Sequence, residues 1–166
     1  MKKKLVVLSG AGISAESGIK TFRDSDGLWE NYNVEEVATL DGWYRDPDLV
    51  TDFYNARRAE LAKTGPNDAH KLVAALEEYY DVTVVTQNID DLHERGGSTK
   101  IIHLHGEATK ACSENGKRFV QDIGYRPIAH DEKAPDGARL RPFIVWFGEA
   151  VPLLEDAARE VEQADI

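Results

Sequence analysis

The chain has 166 residues, a length that fits one domain with a real hydrophobic core. Acidic residues outnumber basic ones by 30 to 20, which gives a formal charge of −10. That balance argues against a nucleic-acid binder, and an anionic membrane surface would repel a protein of this charge. It is compatible with a basic substrate, such as a protein that presents lysines.

The single cysteine, Cys112, has no partner for an internal disulfide, which favours a reducing, cytoplasmic setting. The basic residues 2–4 are followed by only a short apolar stretch, which is too little for a signal peptide. No apolar run approaches the roughly 20 residues needed to span a bilayer. We therefore expect a cytoplasmic protein with no membrane partner, and favour a monomer.

Strand-like apolar runs that alternate with helical segments predict an α/β fold with a Rossmann-like, doubly wound parallel sheet. Residues 5–8 are predicted to form a central strand that is buried on both faces. A glycine-rich turn over 9–18 should lead into a helix. Residues 28–64 are interpreted as an inserted helical module, and Asp46-Pro47-Asp48 is predicted to start one of its helices.

After the Gly65-Pro66 break, Asn67 should cap a helix whose apolar positions include Leu72 and Tyr79. The rest of the chain predicts strands over 82–86, 101–104 and 143–147, a helix over 153–163, the start of another strand at 164–166, and a small polar subdomain or flap over 107–141.

The glycine-rich turn reads Gly-Ala-Gly-Ile-Ser-Ala-Glu-Ser-Gly over residues 10–18. Such a turn between a strand and a helix lets phosphates approach backbone N–H groups. Its third glycine falls too late for the usual dinucleotide fingerprint, and no Gly-Lys-Ser/Thr follows as in a P-loop. Taken alone, the segment predicts either a phosphate site or a plain strand-to-helix turn.

Three further motifs follow the turn, which extends to Thr21-Phe22-Arg23. They are Thr-Gln-Asn-Ile-Asp at 86–90, His-Leu-His-Gly at 103–106 and Val-Trp-Phe-Gly-Glu at 145–149. In this order the four motifs closely resemble the signature of the sirtuin family, over nearly the whole chain. The resemblance implies an NAD-dependent enzyme that deacylates lysine in protein substrates. Its products would be nicotinamide, O-acyl-ADP-ribose and free lysine.

The resemblance also implies roles for individual residues. His105 would be the catalytic base, assisted by Asn88. A peptide substrate would add to the strand edge formed by Val145, Trp146, Phe147 and Gly148, although one of the two aromatic residues is expected to be core. NAD would be bound by Gly10, Ala11, Gly12, Ile13, Glu16, Thr21, Phe22, Arg23, Trp29, Gln87, Asn88, Ile89, Asp90 and His105.

Some of these residues also have simpler interpretations. Asp90 could merely cap the following helix. A neutral imidazole accepts a proton near neutrality, yet His103 shares a strand face with His105, and His93 is a further rival. Only the resemblance selects His105. We expect His70 and His130 to serve surface or packing roles.

Tyr54 and Arg57 lie three residues apart in a predicted helix and so share a face. The pair resembles the Tyr-x-x-Arg pair of class III sirtuins, the bacterial desuccinylase and demalonylase type. A guanidinium can bind a terminal carboxylate through two hydrogen bonds, and the tyrosine hydroxyl adds a donor. The alternative is a surface pair on an amphipathic helix, with Arg58 as a competing arginine.

Two departures from the family stand out. Many sirtuins bind a structural zinc through four cysteines in the region of 107–141, where this chain has only Cys112. A closed zinc site needs four ligands, so we expect no zinc and a flap held by packing around Phe119, Ile123 and Tyr125. Family members also continue past residue 166 into further strands, so the catalytic domain at 1–166 is expected to be incomplete at its C-terminus.

Two other functions are compatible with the motifs. The protein could transfer ADP-ribose to a protein, or it could be a catalytically silent NAD-binding fragment. Tyr54 and Arg57 favour deacylation over the first, and His105, Asn88 and Asp90 favour an enzyme over the second. A hydride-transferring dehydrogenase is disfavoured by the glycine spacing.

Overall fold

The computed structural model describes residues 2–20, 28–29 and 31–166. The strands in this part of the chain are β1 (Lys4–Ser9), β2 (Leu28–Trp29), β3 (Tyr32–Asn33), β4 (Asp81–Thr86), β5 (Ile101–His103), β6 (Gly106–Ser113), β7 (Gln121–Asp122) and β8 (Leu140–Ile144). The α-helices are α1 (Val34–Val37), α2 (Leu40–Arg45), α3 (Pro47–Leu61), α4 (Asp68–Ala75), α5 (Leu92–Gly96) and α6 (Leu154–Glu162). Short 3-10 helices cover Ala11–Ser17 and Leu76–Glu78.

The described residues form two compact units. The first comprises 2–20, 64–105 and 150–166, and the second comprises 28–29, 31–63 and 106–149. Residues of the predicted helical insertion and of the predicted flap therefore belong mainly to the second unit. None of the described helices is long and apolar enough to cross a bilayer.

The first unit contains a parallel sheet in the order β1-β4-β5, which confirms the predicted α/β fold class. Residues 82–86 of β4 are all buried. β1 is not buried on both faces as predicted, because residues 4–7 are only partly buried and Leu8 is 66% exposed. The main chain at Ile166 pairs with β1, as the predicted strand start requires.

One face of this sheet is covered by α6, which lies close to the predicted 153–163. Ala157 of this helix packs with Val85 and Leu104, and Val6, Ile102 and Val151 border the same cluster.

The predicted helix cap at Asn67 is confirmed. The Asn67 side chain accepts a hydrogen bond from the Ala69 N–H and donates to the carbonyl of Ile13 (2.7 Å). The apolar face predicted for this helix is confirmed only in part: Val73 and Leu76 are partly buried, but Leu72 and Tyr79, the latter beyond α4, are exposed, and the polar His70 is fully buried. A reciprocal capping bond from the Asn67 N–H to the His70 imidazole turns this polar residue inward.

The second unit contains an antiparallel sheet in the order β7-β6-β8. The strand predicted over 143–147 is therefore wrong in position and partnership, since β8 ends at Ile144 and runs antiparallel to β6. Strand β6 itself lies in the stretch predicted to be irregular, because it is too polar for an apolar pattern to show. Gly106 begins it with φ +81°, and a Cβ there would lie 2.1 Å from the Phe143 carbonyl oxygen, so only glycine fits.

An apolar cluster holds this sheet together. It consists of Ala111, Ile123, Ile128, Ala134 and Leu140. Ile123 was predicted to hold the flap and does, but the same prediction was wrong for Phe119 and Tyr125, which are exposed. The prediction assumed that the aromatic side chains of this polar stretch form its core, but the core of the second unit's sheet consists of aliphatic residues.

The long helix α3 begins where the sequence predicts. Asp46 is the N-cap and accepts a hydrogen bond from the Leu49 N–H (3.0 Å), while Pro47 occupies the first turn, where its missing N–H costs nothing. The inward face of the helix carries Val50, Phe53, Tyr54, Arg58 and Leu61.

Candidate functional site

The carboxyl ends of three parallel strands meet at one edge of the first unit's sheet. Ser9, Thr86 and His103 are in register as the last residues of β1, β4 and β5. The Gln87 N–H donates to the Ser9 carbonyl (3.0 Å), which extends the ladder beyond the strands. The glycine turn, residues 87–90 and His105 are thereby brought to the edge where ligands bind in open α/β sheets.

The glycine turn leaves its backbone accessible. A Cβ built at Gly10 or Gly12 would meet no atom of the described residues within 4 Å, and Gly18 ends the segment with φ +91°. Ala11 and Glu16 are exposed as well. Residues Ala11–Ser17 of the turn themselves form a short 3-10 helix, and no helix follows within residues 18–20. Open space beside glycine backbone suits the close approach of a phosphate group.

Ser14 ties this turn to the end of β4. Its side chain is fully buried and donates a hydrogen bond to an Asp90 carboxylate oxygen (2.9 Å). The Asn88 amide nitrogen donates in turn to the Ser14 hydroxyl (3.2 Å). The other Asp90 oxygen accepts from the Leu92 N–H (3.1 Å), so the capping role weighed for Asp90 is also present. Burial raises the pKa of Asp90.

Asn88 is buried, and most of its hydrogen-bonding groups have partners. Its N–H donates to the Thr86 hydroxyl (3.1 Å), and its carbonyl accepts from the His103 ring (2.9 Å). Because its amide nitrogen is held by Ser14, the amide oxygen is the group of Asn88 that can serve a ligand. Among residues 2–20, 28–29 and 31–166, none contacts that oxygen through a hydrogen bond.

His105 has the geometry of a base. Its Nδ1 lies 3.1 Å from the Gln87 carbonyl oxygen. A carbonyl only accepts, so Nδ1 carries the proton and the lone pair of the neutral ring is on Nε2. No described residue is hydrogen-bonded to Nε2, and the side chain is only partly buried. Nε2 is therefore the atom able to take a proton.

His103, by contrast, is buried and bonded through both ring nitrogens. Nδ1 faces the Asn88 carbonyl (2.9 Å), and Nε2 faces a Glu94 carboxylate oxygen (2.6 Å). It therefore supports the backbone of Asn88 and offers no lone pair to a reactant. The structure thus separates two histidines that strand alternation could not.

The other three histidines have packing or surface positions. His93 is buried and bonded to the Ser9 hydroxyl (2.9 Å), and burial lowers its pKa to about 4. Its ring packs edge-on against His70, whose pKa burial also lowers. His130 is exposed and paired with Asp52 (2.8 Å), whose hydrogen bond raises the histidine's pKa.

In the second unit, Tyr54 lies in an aromatic cluster on α3. It is 1% exposed, and its oxygen accepts a hydrogen bond from the Trp146 indole N–H (3.0 Å). Trp29, expected to bind the cofactor, packs edge-on against Phe53 (4.9 Å between ring centroids) and Tyr54 (6.1 Å). Burial raises the pKa of Tyr54 well above its usual range, so the hydroxyl remains a donor.

The two adjacent arginines of α3 differ in their surroundings. Arg57 is partly buried, with its guanidinium 5.3 Å from the Phe53 ring centroid and 3.1 Å from a carboxylate oxygen of the exposed Glu60. Arg58 is fully buried and donates to the carbonyls of Arg126 (3.2 Å) and Ala108 (3.1 Å). Arg58 is therefore a structural residue, and binding of a ligand by Arg57 stays a prediction.

Residues 145–149 leave β8 as an irregular segment. Trp146 is buried and Phe147 is 63% exposed, so one of the two is core, as expected. The Phe147 main chain pairs with residues 38 and 40 of its own chain, and the Trp146 N–H is bonded to the Glu149 carboxylate (2.8 Å). The edge predicted to receive a peptide is therefore already partly occupied.

A buried ion pair shapes this segment. Arg141 is 2% exposed and binds both carboxylate oxygens of Glu149 (2.9 and 3.2 Å). Lys117 reaches the same carboxylate (3.0 Å). Burial alone would raise the pKa of Glu149, but its hydrogen bonds and the neighbouring positive charges lower it. Sequence reasoning did not single out Arg141 or Ser14, although an arginine between the apolar residues of a strand was a signal for the first.

Thr21, Phe22 and Arg23, which the motif assigns to the cofactor, lie outside the described residues. The other predicted cofactor residues belong to the first unit, except Trp29, which belongs to the second unit with the predicted substrate residues.

Comparison with known proteins identifies the family. The Sir2 family model matches residues 10–166. The chain belongs to the Sir2 family. Similar Sir2 proteins include NAD-dependent protein deacylases from Bacteroides thetaiotaomicron (56% identity) and Helicobacter pylori (54%). In both comparisons the match covers 99% of this chain, and it covers 72% and 71% of the respective relatives.

Solved structures agree. An ADP-ribose complex of a mutated Sir2 homologue has a TM-score of 0.90 at 41% identity, covering 99% of this chain and 68% of that one. A Sir2 homologue in complex with NAD has a TM-score of 0.87 at 41% identity, covering 99% and 66%. The family predicted from the four motifs is confirmed, and so is the sirtuin-like α/β fold.

Proposed function

We propose that this Sir2 protein is an NAD-dependent deacylase that prefers acidic acyl groups, succinyl and malonyl, on protein lysines. NAD-dependent deacylation follows from the family and from the deacylase relatives. The acyl preference rests on one observation: the buried Tyr54 and the partly buried Arg57 lie three residues apart on α3, a spacing at which a hydroxyl and a guanidinium can serve one ligand.

A succinyl or malonyl group ends in a carboxylate, which the two side chains complement. A guanidinium supplies parallel N–H donors at the spacing of the carboxylate oxygens, and a phenol adds a third donor. One partner of Arg57, Glu60, has a side chain that is 60% exposed, and such surface ion pairs are weak. An acyl carboxylate held in partly buried surroundings can compete with this ion pair.

The first unit fits the dinucleotide. Open backbone at Gly10 and Gly12 suits the phosphates, and the amide oxygen of Asn88 suits a ribose hydroxyl or an amide. When bound, NAD supplies the sugar to which the acyl group is transferred. His105 would take the proton of the attacking hydroxyl on Nε2, while the Gln87 carbonyl holds its Nδ1–H and so fixes the ring.

A panel of acylated peptides tests the proposal. NAD-dependent nicotinamide release should be faster from succinyl- and malonyl-lysine peptides than from the acetyl-lysine peptide of the same sequence. Mass spectrometry should find free lysine and O-acyl-ADP-ribose. A peptide that gains ADP-ribose would support the transferase alternative, and equal kcat/KM for all three acyl groups would contradict the preference.

We also propose that the second unit needs no structural zinc. Cys112 is fully buried in β6, and burial raises the pKa of its thiol to about 11, so the neutral thiol is favoured over the thiolate that zinc requires. Hydrogen bonds join the surrounding turns instead: the Ser113 hydroxyl donates to Asp136 (2.8 Å), and Arg118 contacts the same carboxylate (3.4 Å).

Metal content and unfolding test the zinc proposal together. Dialysis against a chelator should leave the urea midpoint of unfolding unchanged, and elemental analysis of the untreated protein should find zinc far below one equivalent. Stoichiometric zinc whose removal lowers the midpoint would contradict it.

A further inference from the structure

The hydrogen bond between Trp146 and Tyr54 determines where the tyrosine proton can point. A phenol oxygen can accept one hydrogen bond while its own O–H donates another. The indole N–H of Trp146 only donates, so the 3.0 Å contact makes the Tyr54 oxygen the acceptor. The O–H of Tyr54 must therefore donate elsewhere, and none of the described side chains or carbonyls accepts it.

The indole is held firmly in this role. The Arg141 guanidinium lies over its ring at 3.5 Å from the centroid, and the Trp43 ring lies 5.4 Å away, tilted by 30°. The Trp146 N–H of the main chain is bonded to Glu149 (2.8 Å), which Arg141 also binds. With ring and backbone both fixed, the indole N–H has no other orientation that keeps this packing.

We propose that Trp146 is a specificity-determining residue that positions the Tyr54 proton for the carboxylate of an acidic acyl group. The inference rests on the proposed function and assigns to Trp146 a role separate from peptide binding. Donation into the Tyr54 oxygen polarises its O–H, because linked hydrogen bonds strengthen one another in buried surroundings. An acetyl group has no terminal carboxylate to receive that proton, so the contribution is selective for succinyl and malonyl groups.

Trp146→Phe removes the donor while keeping an aromatic ring between Arg141 and Trp43. We expect kcat/KM to fall about 5- to 10-fold for a succinyl-lysine peptide, the loss of one hydrogen bond, mainly through a higher KM. The acetyl-lysine peptide should change less than about 2-fold. Trp43→Phe is the matched control, because it alters the same stack without touching Tyr54 and should affect both peptides equally.

A double-mutant cycle isolates the contact. If Trp146 acts through the Tyr54 hydroxyl, then Trp146→Phe should add little to the succinyl defect of Tyr54→Phe. Should Trp146→Phe fail to fold, Trp146 can be replaced by the unnatural amino acid 3-benzothienylalanine, in which sulfur takes the place of the indole N–H. This replacement keeps the shape of the side chain and tests the same hydrogen bond. Additive losses, or equal losses with succinyl and acetyl peptides, would overturn the inference.

The proposed function can fail separately. If Arg57→Met is selective for acidic acyl groups and Trp146→Phe is not, only the role of Trp146 is wrong. If neither variant distinguishes succinyl from acetyl peptides, the acidic-acyl preference itself is wrong.

Discussion

Arg57→Met should lower kcat/KM for a succinyl-lysine peptide by about 10- to 100-fold, because it removes charged hydrogen bonds each worth about 1.5–3 kcal/mol. The methionine side chain can still lie against the Phe53 ring that the Arg57 guanidinium now faces. The acetyl-lysine peptide, which has no carboxylate to lose, should change less than about 3-fold. Steady-state nicotinamide release with both peptides is the measurement.

Arg159→Met is the matched control for this prediction. Arg159 is an exposed arginine of α6 in the first unit, paired only with its helix neighbour Asp156, and its loss should leave both peptides unchanged. Arg58→Met is unsuitable, because it leaves the buried carbonyls of Ala108 and Arg126 without donors and destabilises the fold. Equal losses for succinyl and acetyl peptides in Arg57→Met would rule out the specificity role.

His105→Ala should reduce kcat by about 10²- to 10⁴-fold with every acyl peptide, since a positioned general base contributes that much. The ring is partly exposed and bonded only through Nδ1 to the Gln87 carbonyl, so the fold should tolerate the change. ADP-ribose binding, measured by calorimetry, should stay within about 3-fold of the parent value. That pair of results separates lost chemistry from a lost nucleotide site.

His130→Ala provides the comparison, because that histidine is exposed and pairs with the surface residue Asp52. It should keep kcat within about 2-fold of the parent value. His103→Ala should behave differently from both, since the buried ring supports the Asn88 carbonyl and its loss should weaken ADP-ribose binding as well as turnover. A His105→Ala enzyme with near-normal kcat would remove the basis of the catalytic assignment.

Much of the local structure could be predicted because its causes are short-range. The caps at Asp46 and Asn67 each involve a side chain and an N–H within three residues, so the helix starts were visible in the sequence. The glycine turn and the strand before it were visible for the same reason. β6 was missed because its residues alternate too weakly in polarity, and a strand of this kind is recognised only through its partners.

The sequence by itself determined the family, the cofactor motifs and the face that Tyr54 shares with Arg57, because these depend on residue identity and spacing. Tertiary structure decided the surroundings of each candidate residue. The Gln87 carbonyl leaves Nε2 of His105 as the basic atom, while two acceptors occupy His103. Carbonyls far along the chain accept the hydrogen bonds of Arg58 and make it structural. Spacing shows which residues can face the same way, but hydrogen-bond partners are supplied by distant segments, and they determine which of those residues can react.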